Sequence, residues 1–165
     1  MRLAFTEPIL FICPMSIPSF EILSSALERL YTSEKIDLSL RKSSRALGRL
    51  EEAVASPPSP LQSDAVFQRF EFTFELCWKA LRIYLSESEG IQVSSPRGTL
   101  KEAFRERLID SSEEDGFVRM LEDRNLSSHT YDEHEALEIF NRVCRSHAPL
   151  LRTVLSRLLT AHDSD

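Results

Sequence analysis

Arg124 and His129 are the residues of this chain whose types and spacing are best suited to chemistry. Arginine can hold a phosphate through two parallel hydrogen bonds, and histidine has the ordinary pKa best suited to proton transfer near neutral pH. Five residues of continuous helix would separate the two side chains by about 140°. A break at Ser127-Ser128 lets them converge. Together they could bind a phosphodiester and move the proton of a ribose 2′-hydroxyl without a metal.

The same two residues also have a purely structural interpretation. Arg124 could pair with Asp123, with Glu122 or with a carboxylate of the second helix, while His129 lies at a helix end. Structural ion pairs commonly produce such groups of residues. An Arg-x4-His spacing alone also occurs often by chance, so it leaves both interpretations open.

The second helix offers two alternatives for its acidic residues. Glu75 and Lys79 stand four residues apart, a spacing typical of a surface ion pair. Alternatively, Glu71 or Glu75 reaches Arg124 across the bundle and orients it. Trp78 lies in the apolar stripe of the same helix, which favours a core position over stacking on a base.

Helical spacing of apolar residues predicts the elements that position these side chains. The predicted helices cover residues 36–54, 64–86 and about 96–108, followed by one that begins at Ser111 and a long last one that begins at Thr130. No segment alternates with a period of two. We therefore predict an all-α fold, an antiparallel up-and-down four-helix bundle with an additional short helix. The second helix is apolar on two sides, which places it at the centre of the bundle or in a dimer interface.

Several helix ends carry explicit signals. Ser95 before Pro96 is typical of a helix start. Two pairs have the spacing of a capping box, namely Ser111 with Glu114 and Thr130 with Glu133. Pro149 is expected to kink the last helix or divide it in two.

Composition limits the function classes. The chain has 165 residues, 20 Lys+Arg and 26 Asp+Glu, and a net charge of −6. This charge argues against nonspecific coating of nucleic acid or anionic membranes, though a local basic site for RNA remains open. Basic residues of the first helix could form such a stripe with four arginines of the last, which are Arg142, Arg145, Arg152 and Arg157. Only four glycines are present, too few for a Gly-rich phosphate loop to organise the fold.

The cysteines and histidines do not have the spacing of a metal site. Cys13, Cys77 and Cys144 are far apart and form no CxxC pair. The histidines lack an HExxH or comparable spacing. We therefore predict no metal and no cofactor, with reduced thiols in a cytoplasmic protein.

The N-terminal residues 1–34 are expected to form an extension that is poorly ordered or precedes the true start. Glu7 and Pro8 interrupt its apolar run, and this interruption argues against a signal peptide. The remaining apolar run is also too short to span a membrane. The helical domain is predicted to cover residues 35–160.

Arg124, His129 and Tyr131 match the R-x4-H-x-Tyr signature of the HEPN superfamily, specifically its HepT-like branch. Residues 68–79 resemble the second-helix block of the nucleotidyltransferase substrate-binding proteins, and 95–97, 121–125 and 128–132 resemble its other hallmarks. The resemblance extends over roughly residues 36–159, and the ordered combination of blocks is much more specific than the short motif. Residues 1–34 lie outside the usual extent of the family.

The resemblance implies a homodimeric four-helix bundle encoded beside a small MntA-like nucleotidyltransferase. HepT-like members are toxins that cleave RNA without metal, and the partner neutralises them by transferring AMP to the motif tyrosine. Carried over to this chain, Arg124 would steady the scissile phosphate, His129 would act as general acid or base, and Tyr131 would receive AMP. Asn125 would orient the phosphate or hold the motif, and Glu75 would support Arg124.

Two hypotheses from different classes follow, together with a third, structural one. The chain is a metal-independent RNase toxin controlled through Tyr131, or it is a noncatalytic binding subunit of a nucleotidyltransferase. In the third, the motif survives only as a structural ion pair, so Arg124→Ala lowers stability and abolishes no activity.

Overall fold

The computed structural model describes residues 20–127 and 132–163, and within these ranges all regular structure is helical. The helices are α1 (Phe20–Val54), α2 (Pro60–Ser88), α3 (Pro96–Arg105), α4 (Glu114–Ser127), α5 (Glu133–Arg142) and α6 (Ala148–Asp163). A 3₁₀ turn, Ser111–Glu113, precedes α4, and a π-helical turn, Val143–His147, joins α5 to α6. The predicted all-α fold is confirmed.

Long-range contacts arrange these helices as an antiparallel bundle. Gln62 at the start of α2 donates to the carbonyls of Ala53 and Val54 at the end of α1, while Lys35 and Glu87 pair at the opposite ends of the two helices. The helices α4 and α5–α6 complete the up-and-down order, and α3 is the additional short helix. The core between them consists mainly of large side chains that are fully buried, namely Leu40, Leu50, Phe70, Phe74, Leu81, Leu85, Ile109, Phe117, Met120, Ile139, Leu151 and Leu158.

Two Ser-Pro steps begin helices in the same way. Ser95 caps α3 by accepting a hydrogen bond from the backbone N–H of Gly98 at 3.1 Å, as its position before proline predicts. Ser59 caps α2 through Gln62 at 3.1 Å. The helix α2 therefore begins at Pro60 rather than at the predicted residue 64, because a proline that ends one helix is also well suited to the first turn of the next.

The first predicted capping box lies one residue earlier, and the described cap of α5 is Asp132. The backbone N–H of Asp110 donates to Glu113 Oε2 at 2.8 Å, so the reciprocal pair is Asp110 with Glu113 and not Ser111 with Glu114. Asp132 caps α5 by accepting from the backbone of His134 at 2.7 Å. Thr130 lies outside the described residues. Aspartate accepts these hydrogen bonds as well as serine or threonine does, so spacing alone did not distinguish the positions.

The last helix is divided next to Pro149, as predicted. Proline lacks the N–H that a regular helix requires, and its ring crowds the carbonyl four residues earlier. The turn that absorbs this mismatch is the π-helical segment Val143–His147, which directly precedes α6.

The helix α1 is longer than the sequence predicts. It begins at Phe20, whereas apolar spacing places its start at Ile36. Residues 20–34 of the predicted extension are therefore helical, and residues 1–19 lie outside the described part. The early turns expose Leu27, Leu30 and Tyr31, because α2 ends at Ser88 and does not cover them. Leu23, Leu27 and Leu30 nevertheless recur at helical spacing, so the sequence carries a helical signal before Ile36.

In the described ranges, no helix has the length and hydropathy needed to span a bilayer.

Candidate functional site

Arg124 lies in the last turn of α4 and points toward α2. Its Nη2 donates to Glu75 Oε1 at 2.8 Å, and its Nη1 donates to the Asn125 side-chain oxygen at 3.3 Å. Among the carboxylates considered from sequence, the structure therefore pairs Arg124 with Glu75 of the second helix. The side chain remains 34% exposed. A guanidinium that is oriented by a carboxylate and still partly exposed to solvent can bind an anion.

Glu75 makes both contacts that the sequence offered as alternatives, the pair with Lys79 and the pair with Arg124. Its Oε1 accepts from Arg124, while its Oε2 accepts from Trp78 Nε1 at 3.1 Å and pairs with Lys79 Nζ at 3.1 Å. Partial burial would raise the pKa of Glu75, but the hydrogen bonds from Lys79 and Trp78 and the charge of Arg124 hold it below its ordinary value. Glu75 is therefore a carboxylate near neutral pH. Trp78 is buried, which agrees with its predicted core position.

The remaining motif residues, His129 and Tyr131, lie outside the described residues. The segment that contains them, residues 128–131, is bracketed by the end of α4 at Ser127 and by the cap of α5 at Asp132. The structure thus brings together Arg124, Asn125 and Glu75 at the N-terminal side of this segment. The convergence of His129 with Arg124 stays a prediction.

A buried ionic cluster centres on Asp123, the residue before Arg124, and spacing did not reveal it. Asp123 is fully buried and accepts from Arg142 twice, from Nε at 2.7 Å and from Nη2 at 2.9 Å. The same carboxylate contacts His147 Nε2 at 2.8 Å and Arg119 Nε at 3.5 Å. We call Asp123, Arg142 and His147 the Asp123 cluster. It ties the last turns of α4 to α5 and to the π-helical turn, on both sides of residues 128–131.

His147 is a buried member of this cluster. Its ring stacks on Phe70 with centroids 5.4 Å apart, and its buried Nδ1 has no hydrogen-bond partner among the described residues. Desolvation lowers the pKa of His147, although the contact with Asp123 opposes this shift. The ring is therefore neutral and donates from Nε2 to Asp123. The only sequence signal was its position: His147 follows Val143 by four residues and precedes Leu151 by four in the apolar stripe.

This burial predicts an acid-sensitive stability. Because the pKa of His147 is lower in the folded state, the unfolded chain binds the extra proton first, and stability falls as pH drops below about 6.5. The lowered pKa of Asp123 acts in the same direction at lower pH. The variant His147→Gln, whose amide can still donate to Asp123, should show a shallower loss of unfolding free energy between about pH 7 and 5.

Urea titrations across that range test the prediction, with His134→Gln as control because His134 is exposed on α5. Equal pH slopes for wild type and His147→Gln would contradict it.

The four arginines of the last helix that could contribute to a basic stripe are mostly paired. Three of them are engaged in ion pairs: Arg142 with Asp123, Arg152 with Glu51 and Arg157 with Asp110 and Glu113. A long arginine side chain can reach a carboxylate on a neighbouring element. The residue pattern of one helix does not show such a contact. Four basic residues of α1 line a groove against α2, namely Arg41, Lys42, Arg45 and Arg49.

Neither thiols nor metal ligands add chemistry in the described part of the chain. Burial raises the pKa of Cys77 to about 12 and raises that of Cys144, so neither thiol is activated. Cys13 lies outside the described residues. Within those residues no group of three or more His, Cys, Asp or Glu side chains is arranged to hold a metal ion.

Comparison with known proteins identifies the family of the chain. Residues 38–160 match the family model described as nucleotidyltransferase substrate binding protein like. The chain belongs to this family. The matched span contains every element from α2 to the π-helical turn, together with Arg124, Glu75 and the Asp123 cluster.

Two solved structures resemble this family member. A crystal structure of a Thermus thermophilus protein shares 42% identity, with a TM-score of 0.67, over 70% of this chain and 98% of that one. A Shewanella oneidensis HEPN toxin, described as tri-AMPylated and in complex with an MNT antitoxin, shares 18% identity. Its TM-score is 0.63, over 76% of this chain and 96% of that one, which shows a HEPN-like fold. None of the curated proteins matches the chain.

Proposed function

We propose that this protein is a HepT-like toxin, a metal-independent endoribonuclease that a partner nucleotidyltransferase silences by adding AMP to Tyr131. The active form is a homodimer, RNA is the substrate and the partner is MntA-like. Family membership and the HEPN-like fold support this proposal. No cofactor takes part in it.

The chemistry assigns one task to each motif residue. Arg124 binds the scissile phosphate through its guanidinium. His129 takes the proton of the ribose 2′-hydroxyl, whose oxygen attacks phosphorus while the bond from phosphorus to the 5′-oxygen breaks. The leaving 5′-oxygen receives a proton from the protonated imidazole of His129, directly or through water, so the products are a 2′,3′-cyclic phosphate and a 5′-hydroxyl and the histidine is restored.

The observation that carries the proposal is the state of Arg124. Its guanidinium is held by Glu75 at 2.8 Å, is 34% exposed, and lies four residues before the segment that contains His129 and Tyr131. A fixed arginine loses little conformational freedom when it binds an anion.

Transfer of AMP to Tyr131 explains how a partner could silence such a site. The Shewanella oneidensis HEPN toxin carries AMP groups and binds an MNT antitoxin. An AMP phosphate on Tyr131, seven residues after Arg124, would offer the guanidinium a tethered anion. A tethered phosphate competes with free RNA at high effective concentration.

The second candidate is a noncatalytic subunit that presents substrate to a nucleotidyltransferase. The family description favours it, since it names substrate binding and no cleavage. In this role Arg124 would bind a substrate phosphate, and His129 would have no proton to move.

RNA cleavage by the purified chain separates the two candidates. We expect protein produced without a nucleotidyltransferase to cleave RNA in EDTA and to leave 2′,3′-cyclic phosphate ends, and His129→Ala to lose cleavage. The matched control is His134→Ala, since His134 is exposed at the start of α5 and lies outside the motif. Circular dichroism establishes that each variant is folded.

The same preparation, incubated with the partner nucleotidyltransferase and ATP, should gain AMP and lose cleavage. The variant Tyr131→Phe should gain none there and remain active in its presence. Folded, unmodified wild type that cleaves none of several RNAs would favour the binding subunit, and the test would then move to the activity of the partner.

A further inference from the structure

A basic groove runs between α1 and α2 on this otherwise acidic protein. It has a volume of about 540 Å³, and five cations line it, namely Arg41, Lys42, Arg45, Arg49 and Arg69. None of the described carboxylates lines it, while the whole chain carries a net charge of −6. Positive charge is thus concentrated on one face.

The cations project from one side of α1. Lys42, Arg45 and Arg49 follow one another at intervals of three and four residues, so they share a helix face. Arg69 faces them from α2. From Leu38 to Arg49 the lined part of α1 is about 16 Å long. An extended chain of phosphates fits such a row better than a single anion does.

Three of the cations have no ion pair with a described residue. Arg41 pairs with Asp37 at 2.8 Å and Arg49 pairs with Glu52 at 3.3 Å, at the two ends of the groove. Lys42, Arg45 and Arg69 form no such pair within the part of the chain that the structure describes. Each of them can neutralise a phosphate without first breaking an ion pair with a described residue.

The floor of the groove is apolar and includes an exposed aromatic ring. Phe72 is 61% exposed and Leu38 is 53% exposed, with Leu76 beside them. An exposed phenylalanine flanked by cations is the combination on which single-stranded nucleic acids stack their bases while their backbone follows the charges.

The groove adjoins the Arg124 site. Phe72 precedes Glu75 by three residues and Leu76 follows it by one, so they lie about 60° and 100° around α2 from the carboxylate that holds Arg124. A strand that leaves the groove can therefore continue toward Arg124.

We propose that this groove binds single-stranded RNA on one side of the scissile phosphate, with Lys42, Arg45 and Arg69 on the backbone and Phe72 stacked on a base. The inference rests on the proposed function for the choice of RNA as the substrate. The groove residues contact substrate away from the reacting atoms, so they contribute to affinity and not to the chemical step.

Binding of an uncleavable probe tests the inference independently of cleavage. The probe is a fluorescent single-stranded RNA with 2′-O-methyl groups, which lacks the attacking hydroxyl. We expect the triple variant Lys42→Gln, Arg45→Gln, Arg69→Gln to bind it about tenfold or more weakly, and its salt slope to fall by about 2. The control is Arg97→Gln, Lys101→Gln, Arg145→Gln, which removes the same charge from exposed positions outside the groove and should bind as wild type does.

The variant Phe72→Ala tests the stacking contact. It should weaken RNA binding about fivefold or more and leave binding of inorganic polyphosphate, which has no bases, unchanged. Sedimentation of each variant shows whether the assembly state changes.

Wild-type affinity in the groove triple variant would overturn the inference, as would an equal loss in both triple variants. A change of Phe72→Ala from dimer to monomer would also overturn it, by assigning the groove to an interface between copies of the chain. If RNA binding depends on the groove but unmodified RNA is not cleaved, the inference about the groove is supported and the nuclease proposal is wrong.

Discussion

Replacing Asp123 by alanine should lower the free energy of unfolding by about 3–5 kcal/mol. The carboxylate is fully buried and is the shared acceptor for Arg142 and His147, at 2.7 to 2.9 Å. Its removal leaves Nε2 of a buried imidazole without an acceptor, and it leaves Arg142 with only the longer pair to Glu138 at 3.5 Å. Because the Arg142 side chain is 25% exposed and can recover some hydration, we expect the lower half of this range. Urea denaturation at neutral pH measures the change.

Two further variants show whether a loss of stability in Asp123→Ala comes from the buried cluster. Glu122→Ala removes the neighbouring carboxylate, which is exposed and pairs with Arg119 at 3.2 Å, and should cost less than about 1 kcal/mol. Asp123→Asn keeps the shape and one acceptor oxygen, so its cost should lie between the other two. Similar losses for Asp123→Ala and Glu122→Ala would show that the buried cluster does not hold α4 against the π-helical turn.

The helices were predictable because each has one apolar face, whereas their ends were only approximately predictable. The sequence places the starts of α2 and α5 and the reciprocal cap before α4 a few residues away from where they lie. Asp110, Asp132 and Ser59 are as good caps as the residues chosen from spacing, and the choice depends on where the neighbouring turn packs. The start of α1 was missed although Leu23, Leu27 and Leu30 recur at helical spacing, because residues 1–34 were expected to form an extension outside the family core.

The candidate site was also only partly predictable from the sequence. The spacing between Arg124 and His129 identified Arg124 as a candidate. A carboxylate partner on α2 was one of the alternatives for it, and the structure identifies that partner as Glu75. The Asp123 cluster could not be derived, because its members lie 19 and 24 residues apart on different elements. Which side chains meet across a bundle depends on how the helices are rotated against each other. Periodicity describes each helix alone.

Arg124→Ala should reduce RNA cleavage by about 10²–10³-fold, the cost typical of removing one donor that stabilises the charge of a transition state. The effect should appear mainly in kcat, because the phosphate that gains charge during the reaction loses its donor. Stability should change by no more than about 1 kcal/mol, since the pair with Glu75 is partly exposed on both sides. Single-turnover cleavage and urea denaturation of the same preparations measure both quantities.

Conservative variants show whether Arg124 acts on substrate or only within the fold. Arg124→Lys keeps the charge and can still pair with Glu75, but an ammonium cannot make two parallel bonds to a phosphate, so cleavage should recover only in part. Glu75→Gln keeps an acceptor for Arg124 and should remain active, whereas Glu75→Ala releases the guanidinium and should lower kcat. Arg97→Ala, at an exposed position outside the site, should change neither quantity. If Arg124→Ala were destabilised and still cleaved RNA, the pair with Glu75 would be structural and the donor to the phosphate would have to be another residue.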